Sequence, residues 1–96
     1  MIGGICNAAS FLCAHGFLNH VKHTGNTLAV LKQWGGERYT NEDGYLEKQA
    51  VGDKKIVTAN GTGYLEFTRE LLLALKADTQ EKIEAFYDFS KNGLVR

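Results

Sequence analysis

Apolar and polar positions change period several times along this chain. The run Ile2-Gly3-Gly4-Ile5 leads into Cys6, and directly afterwards the apolar positions take helical spacing. Ala8, Phe11, Leu12 and Phe17 fall on one side, so a first helix is expected from Asn7 to about Leu18, weakened at its end by Gly16. The stretch from Asn19 to Asn26 is polar and rich in histidine, and Val21 is expected to start a short strand. Asn26 or Thr27 can cap a second helix, Leu28 to Trp34, with Leu28, Leu31 and Trp34 inward and Gly35-Gly36 as its stop. A polar loop from Glu37 to Gly44 carries Tyr39. Tyr45–Val51 and Lys54–Ala59 then flank Gly52-Asp53, the pattern of a hairpin turning at that glycine. Asn60-Gly61-Thr62-Gly63 forms a second glycine loop before a strongly apolar helix, Tyr64 to about Ala77, whose inward face is Phe67, Leu71, Ala74 and Leu75. Asp78-Thr79-Gln80-Glu81 reads as a capping box. It opens a last helix to about Asn92 that should bury Ile83, Phe86, Tyr87 and Ser90, with Gly93 as its C-cap.

The expected order is a strand stub, two helices, a hairpin and two more helices. This is α/β material with few strands, and helices this apolar need a sheet to cover. The opening strand is cut to Met1–Ile5, so residues 1–96 read as a single partial domain, the second half of a larger one.

Ninety-six residues set an upper limit of one domain. Eleven basic and eleven acidic residues cancel, and no basic patch stands out, which argues against nucleic acid or an anionic membrane as partner. No apolar run approaches the roughly 20 residues that span a bilayer. The N-terminal stretch lacks the basic start of a signal peptide and is broken by Asn7, Ser10 and His15. The two cysteines, Cys6 and Cys13, lie two turns apart on one expected helix, too far for a disulfide. A reduced, cytoplasmic setting fits them.

Cys6 carries the clearest candidate chemistry. Strand, sharp turn and helix with a sulfur at the turn is the layout of a nucleophile elbow. Free N–H groups and the positive partial charge at the helix start favour thiolate, the nucleophilic form. The competing reading is a small buried hydrophobe, which is what many free cysteines are. His15, His20 and His23 with a cysteine match no zinc-ligand spacing, and no cofactor motif is present: Asn60–Gly63 lacks the Lys-Ser/Thr of a phosphate loop.

The chain resembles the C-terminal half of the PfpI family of intracellular proteases and amidases. That family includes the Parkinson-disease-associated deglycase and belongs to the class I glutamine-amidotransferase-like superfamily. The resemblance rests on Gly4-Ile5-Cys6-Asn7-Ala8-Ala9, Gly16-Phe17-Leu18, His23-Thr24-Gly25-Asn26, Tyr45, Ala50-Val51-Gly52-Asp53, Ile56-Val57-Thr58-Ala59-Asn60-Gly61 and Leu65-Glu66-Phe67. It is most similar to bacterial members with His-Thr-Ser-Asn, where Gly25 here replaces the serine. It implies a flavodoxin-like three-layer sandwich roughly twice this length, with the N-terminal strands missing here. It further implies Cys6 as nucleophile, His23 as its partner and the backbone N–H of Asn7 as oxyanion donor. The family's acidic residue and its other oxyanion loop have no counterpart in these residues.

Two functions of different class follow. In the first, Cys6 attacks the carbonyl carbon of a small-molecule or peptide substrate, His23 moves the proton and Asn7 N–H holds the oxyanion, giving hydrolase, glutaminase-like or deglycase-like chemistry. In the second, Cys6 is a stress-responsive redox thiol without hydrolytic activity, or the chain is an inactive fragment. The apolar faces of Phe67, Leu71, Leu75, Ile83 and Phe86, together with the edge at Met1–Ile5, lead us to expect either a homodimer or an aggregation-prone fragment.

Overall fold

The computed structural model describes residues 1–93. Its elements are β1 (Ile2–Ile5), α1 (Asn7–Ala14), α2 (Leu28–Gly35), β2 (Ala50–Asp53), β3 (Ile56–Ala59), α3 (Tyr64–Leu75) and α4 (Gln80–Asn92), with 3-10 turns at Gly36–Arg38 and Glu42–Gly44. The sheet has the order β1-β3-β2. β1 runs parallel to β3 and β2 antiparallel to it.

Strand alternation sorts the helices into layers. A Cβ on Gly3 would point at Phe67 and Leu71 of α3, whereas one on Gly4 would point at Ala8, Ala9 and Leu12 of α1. Neighbouring residues on a strand face opposite ways, so α3 covers one face of the sheet and α1 the other. The result is the expected α/β three-layer arrangement on a small sheet. The densest core lies on the α1 side, where Leu12, Cys13, Leu18, Val21, Leu31 and Tyr39 pack with Ile2 and Ile56. No helix among the described residues is long and apolar enough to cross a membrane.

Several expectations are corrected. α1 stops at Ala14, and it buries Ala9, Ser10, Leu12 and Cys13, while Ala8, Phe11 and Phe17 are exposed. The reason is close approach: α1 lies against Gly4, whose missing side chain leaves room for the backbone at Ala8 and Ala9 and for a Leu12 methyl. In α2, Leu31 is buried and Trp34 is exposed. The strand near Val21 is reduced to one isolated parallel bridge, His23 to Tyr45. The hairpin does not turn at Gly52-Asp53. Asp53 pairs with Ile56, and the two-residue turn is Lys54-Lys55, both at positive φ, 48° and 65°. α4 is capped by Thr79, whose hydroxyl accepts from Lys82 N–H, rather than by Asp78.

α4 buries Ile83 and half-buries Tyr87, but Phe86, Phe89 and Ser90 are exposed because α4 packs mainly on α3. A buried carboxylate fastens the pair. Glu66 accepts from the Tyr87 hydroxyl at 2.6 Å and from Lys91 Nζ at 2.5 Å, and Arg69 lies 4.3 Å from the centre of the Tyr87 ring. Burial pushes the Glu66 carboxyl up, but the hydrogen bonds from Lys91 and Tyr87 outweigh it and hold the group below its usual 4.5.

Candidate functional site

The site is assembled where the parallel strands end. Cys6 N–H donates to Ala59 O at 3.0 Å, continuing the ladder one residue beyond β1, and Cys6 O accepts from Ala9 N–H at 3.1 Å as α1 begins. Between these two bonds the chain must reverse, and Cys6 takes φ 59°, ψ −123° to do so. For a residue with a Cβ this is a sparsely populated region that costs on the order of 1–3 kcal/mol. The side chain is left half-buried and free of any disulfide. Ala9 N–H is used by its bond to Cys6 O, and the N–H groups of Asn7 and Ala8 at the start of α1 have no acceptor within the helix.

Two other segments reach the sulfur. Asn26 Nδ2 lies 3.4 Å from Cys6 Sγ, and Asn26 Oδ1 accepts from Gly61 N–H at 2.8 Å. A Cβ on Gly61 would stand 3.3 Å from Sγ, so the glycine lets the loop after β3 close over the thiol. Asn26 is held from both sides. Thr24 N–H donates to Thr58 Oγ1 at 2.8 Å and Thr24 Oγ1 to Lys48 O at 3.1 Å, while Thr27 caps α2 by accepting from Val30 N–H. Asn26 also borders an open cleft of about 650 Å³ whose rim includes Tyr45, Glu47, Lys48, Gln49 and Asn60.

The structure does not bring His23 to the thiol. The residue is fully buried and both ring nitrogens are taken, Nδ1 by Val21 O at 2.8 Å and Nε2 by the Tyr39 hydroxyl at 2.6 Å. A carbonyl can only accept, so Nδ1 carries the proton and the Tyr39 hydroxyl donates to Nε2. Burial lowers the His23 pKa from its ordinary 6.5 and raises that of Tyr39, which keeps both groups neutral. The backbone of His23 is also engaged, its N–H with Gly44 O and its C=O with Leu46 N–H. The residue ties the 36–46 loop to the segment after α1.

Cys13 is likewise structural. Its thiol is fully buried and donates to Leu31 O at 3.3 Å, and burial pushes it up to about 11. Asn26, read in the sequence as a helix cap and as the last residue of the His23–Asn26 stretch but given no role at the thiol, is the side chain that meets the sulfur. The signal for it was its place in the same polar loop as His23.

Comparison with known proteins gives one consistent result. The chain is 41% identical over 92 residues to a Bacillus subtilis protein named uncharacterized protease YdeA, covering 96% of this chain and 46% of that protein. It is 34% identical over 90 residues to a second protein of that organism, uncharacterized protease YoaZ, covering 94% and 42%. Among solved structures, a thiJ/pfpI family protein from Bacillus anthracis superposes with a TM-score of 0.84 at 34% identity, covering 91% of this chain and 41% of the other. The DJ-1 superfamily protein Atu0886 from Agrobacterium tumefaciens gives 0.80 at 35%, covering 96% and 49%. The chain therefore spans about half the length of the relatives it matches. Residues 1–74 match the sequence model of the DJ-1/PfpI family, and the chain belongs to that family.

Proposed function

We propose that Cys6 is the nucleophile of a cysteine-dependent hydrolase or amidase acting on a small-molecule or peptide substrate. The observation that carries this reading is the backbone of Cys6, a non-glycine residue held at positive φ between β1 and α1. Strain of this kind persists where the surroundings over-determine it, and it gathers at functional sites. The relatives named as proteases support the same reading. In the proposed reaction the thiolate sulfur bonds to the carbonyl carbon and the carbonyl π electrons move to oxygen. That oxyanion is stabilised by the Asn7 N–H. The adduct collapses to a thioester as the leaving group departs with a proton from water, and a second water hydrolyses the thioester and restores Cys6. His23 has no part in this scheme, its ring being committed to Val21 and Tyr39. Two free cysteines suit a reducing compartment, and we place the protein in the cytoplasm.

A second reading is favoured by one feature, the amide rather than imidazole at the sulfur. A thiolate without a neighbouring base can serve as a redox group, attacking peroxide to give a sulfenate and water.

Brief iodoacetamide labelling followed by mass spectrometry tests the common premise. We expect Cys6 to react at least about tenfold faster than buried Cys13 in the folded protein. Equal labelling would remove Cys6 as a reactive thiol. Hydrolysis of p-nitrophenyl acetate and of a fluorogenic peptide library then separates the two readings. Turnover abolished by Cys6→Ser supports the hydrolase. Turnover unchanged by that substitution refutes it. No turnover, together with a peroxide-dependent dimedone adduct on Cys6, supports the redox thiol.

A further inference from the structure

We propose that Asn26 is the positioning residue whose amide N–H bonds the Cys6 sulfur and stabilises it for attack. This rests on the reading of Cys6 as the reactive thiol. The orientation of the carboxamide is decided by its other neighbour. Gly61 N–H can only donate, so the Asn26 atom facing it at 2.8 Å is the oxygen, and the atom facing Sγ at 3.4 Å is then the NH2 group. An N–H donor bonds an anionic acceptor about twice as strongly as a neutral one, so it favours the thiolate. An amide cannot also take up the thiol proton. The arrangement therefore stabilises the charged sulfur without acting as a base.

The surroundings fix this geometry. Thr24 anchors the chain on one side of Asn26 to Thr58 and Lys48, and the capped start of α2 anchors it on the other. The Asn26 side chain thus links the turn after β1 to the loop after β3. His23, three residues earlier, cannot substitute for it, because turning the ring away would strip the buried Tyr39 hydroxyl of its acceptor.

The test is the pH–rate profile of Cys6 alkylation by iodoacetamide in the whole chain, read by mass spectrometry. Asn26→Asp keeps the shape and the acceptor for Gly61 N–H but replaces the donor at sulfur with a carboxylate oxygen. We expect it to slow alkylation near pH 7 by about tenfold or more, with the rate recovering in alkaline solution. The carboxylate of Asn26→Asp repels a thiolate whatever the native role, so Asn26→Ser, which withdraws the amide donor without adding charge, separates a donor from a purely structural role; an unchanged profile in either variant overturns the proposal. Should Asn26→Asp fail to fold, Asn26→Ser carries the test alone and must show a displacement in the same direction. Tyr39→Phe, which disturbs His23 instead, is expected to leave the profile unchanged, and a displacement there would assign the role to His23. Wild-type chain in which Cys6 labels no faster than Cys13 would instead refute the underlying reading. Fast wild-type Cys6 with an unaffected Asn26→Asp rate refutes only the role of Asn26.

Discussion

Gly3 and Gly4 are adjacent on β1 yet should respond oppositely to the same added methyl group. At Gly4 a Cβ would lie 2.7 Å from Leu12 Cδ1 and 3.1 Å from the backbone C of Ala8 and N of Ala9. The leucine methyl can turn, but the helix backbone cannot yield without moving α1 off the sheet. Overpacking of this kind costs about 1–3 kcal/mol, offset by about 0.5–1 kcal/mol because alanine loses less chain entropy than glycine in a strand. The net loss for Gly4→Ala is then roughly 0.5–2 kcal/mol, or a fall in melting temperature of roughly 2–16 °C for a domain of this size. At Gly3 the nearest atoms, Leu71 Cδ2 and Phe67 Cζ at 3.1 Å, are ends of half-buried side chains on the looser α3 face. They can give by a few tenths of an ångström, and the entropy gain leaves Gly3→Ala within about 0.5 kcal/mol of wild type. Parallel thermal melts followed by circular dichroism decide the matter. Gly4→Ala should also change the alkylation rate of Cys6, since α1 carries the turn that holds it. A Gly3→Ala protein as destabilised as Gly4→Ala, or a neutral Gly4→Ala, would refute the claim that close approach of α1 to β1 sets the site.

Replacing Lys54-Lys55 by Asn-Gly should stabilise the chain by about 1 kcal/mol or more, because both lysines sit at positive φ where Asn-Gly is favoured; an unchanged urea midpoint would contradict the turn assignment. Tyr39→Phe should cost about 1–3 kcal/mol by leaving the buried His23 Nε2 without its donor. The lowered His23 pKa means the unfolded chain binds the proton more readily, so its contribution to stability is complete above pH 6.5 and is lost as pH falls below it. Denaturant titrations should show this decline beginning near 6.5, whereas the Glu66 contribution stays intact until pH drops below 4.5, so Glu66→Gln leaves the upper window unaltered. Finally, β1 is an edge strand, and Met1, Leu75, Phe86 and Phe89 are exposed. Sedimentation should therefore find concentration-dependent self-association, and a monomer at every concentration would exclude the dimer.

The strand–turn–helix around Cys6 could be read from the sequence because glycines, a cysteine and a change of period occur within a few residues. The hairpin was also visible, but its turn was misplaced. Gly52-Asp53 has the composition of a turn, and nothing in Lys54-Lys55 announces a positive φ; pairing of Asp53 with Ile56 selects it. Helix faces were misread for a related reason. Periodicity identifies apolar stripes, but the distance of approach decides which stripe is buried. α1 meets the sheet at glycine and turns Ala9, Ser10 and Cys13 inward, leaving Phe11 outside in contact with His15 at 4.4 Å between ring centres. In α4 the aromatic residues outnumber the surface that α3 can offer, so Phe86 and Phe89 remain exposed.

That the Asn26 side chain rather than the His23 ring meets the sulfur has its origin in strand register. β1 and β3 are parallel with Ile5 opposite Ala59, so Cys6 and the Asn60–Gly63 loop leave the sheet side by side at its carboxyl end. In open α/β sheets ligands bind at this end. The loop between α1 and α2 must cross the same end, and Thr24 fixes where, through Thr58 one residue before the last of β3. Two residues beyond that anchor, the Asn26 side chain reaches both Cys6 and Gly61. One residue before it, the His23 ring is buried with Val21 and Tyr39. Slipping the β1–β3 pairing by one residue would turn the Gly4 face toward α3 and move Cys6 about 3.3 Å along the strand. The bond from Asn26 to sulfur would then be lost. The narrow tolerance at Gly4 and the reactivity proposed for Cys6 are thus consequences of one register, and a substitution that relaxes the first should be detected in the second.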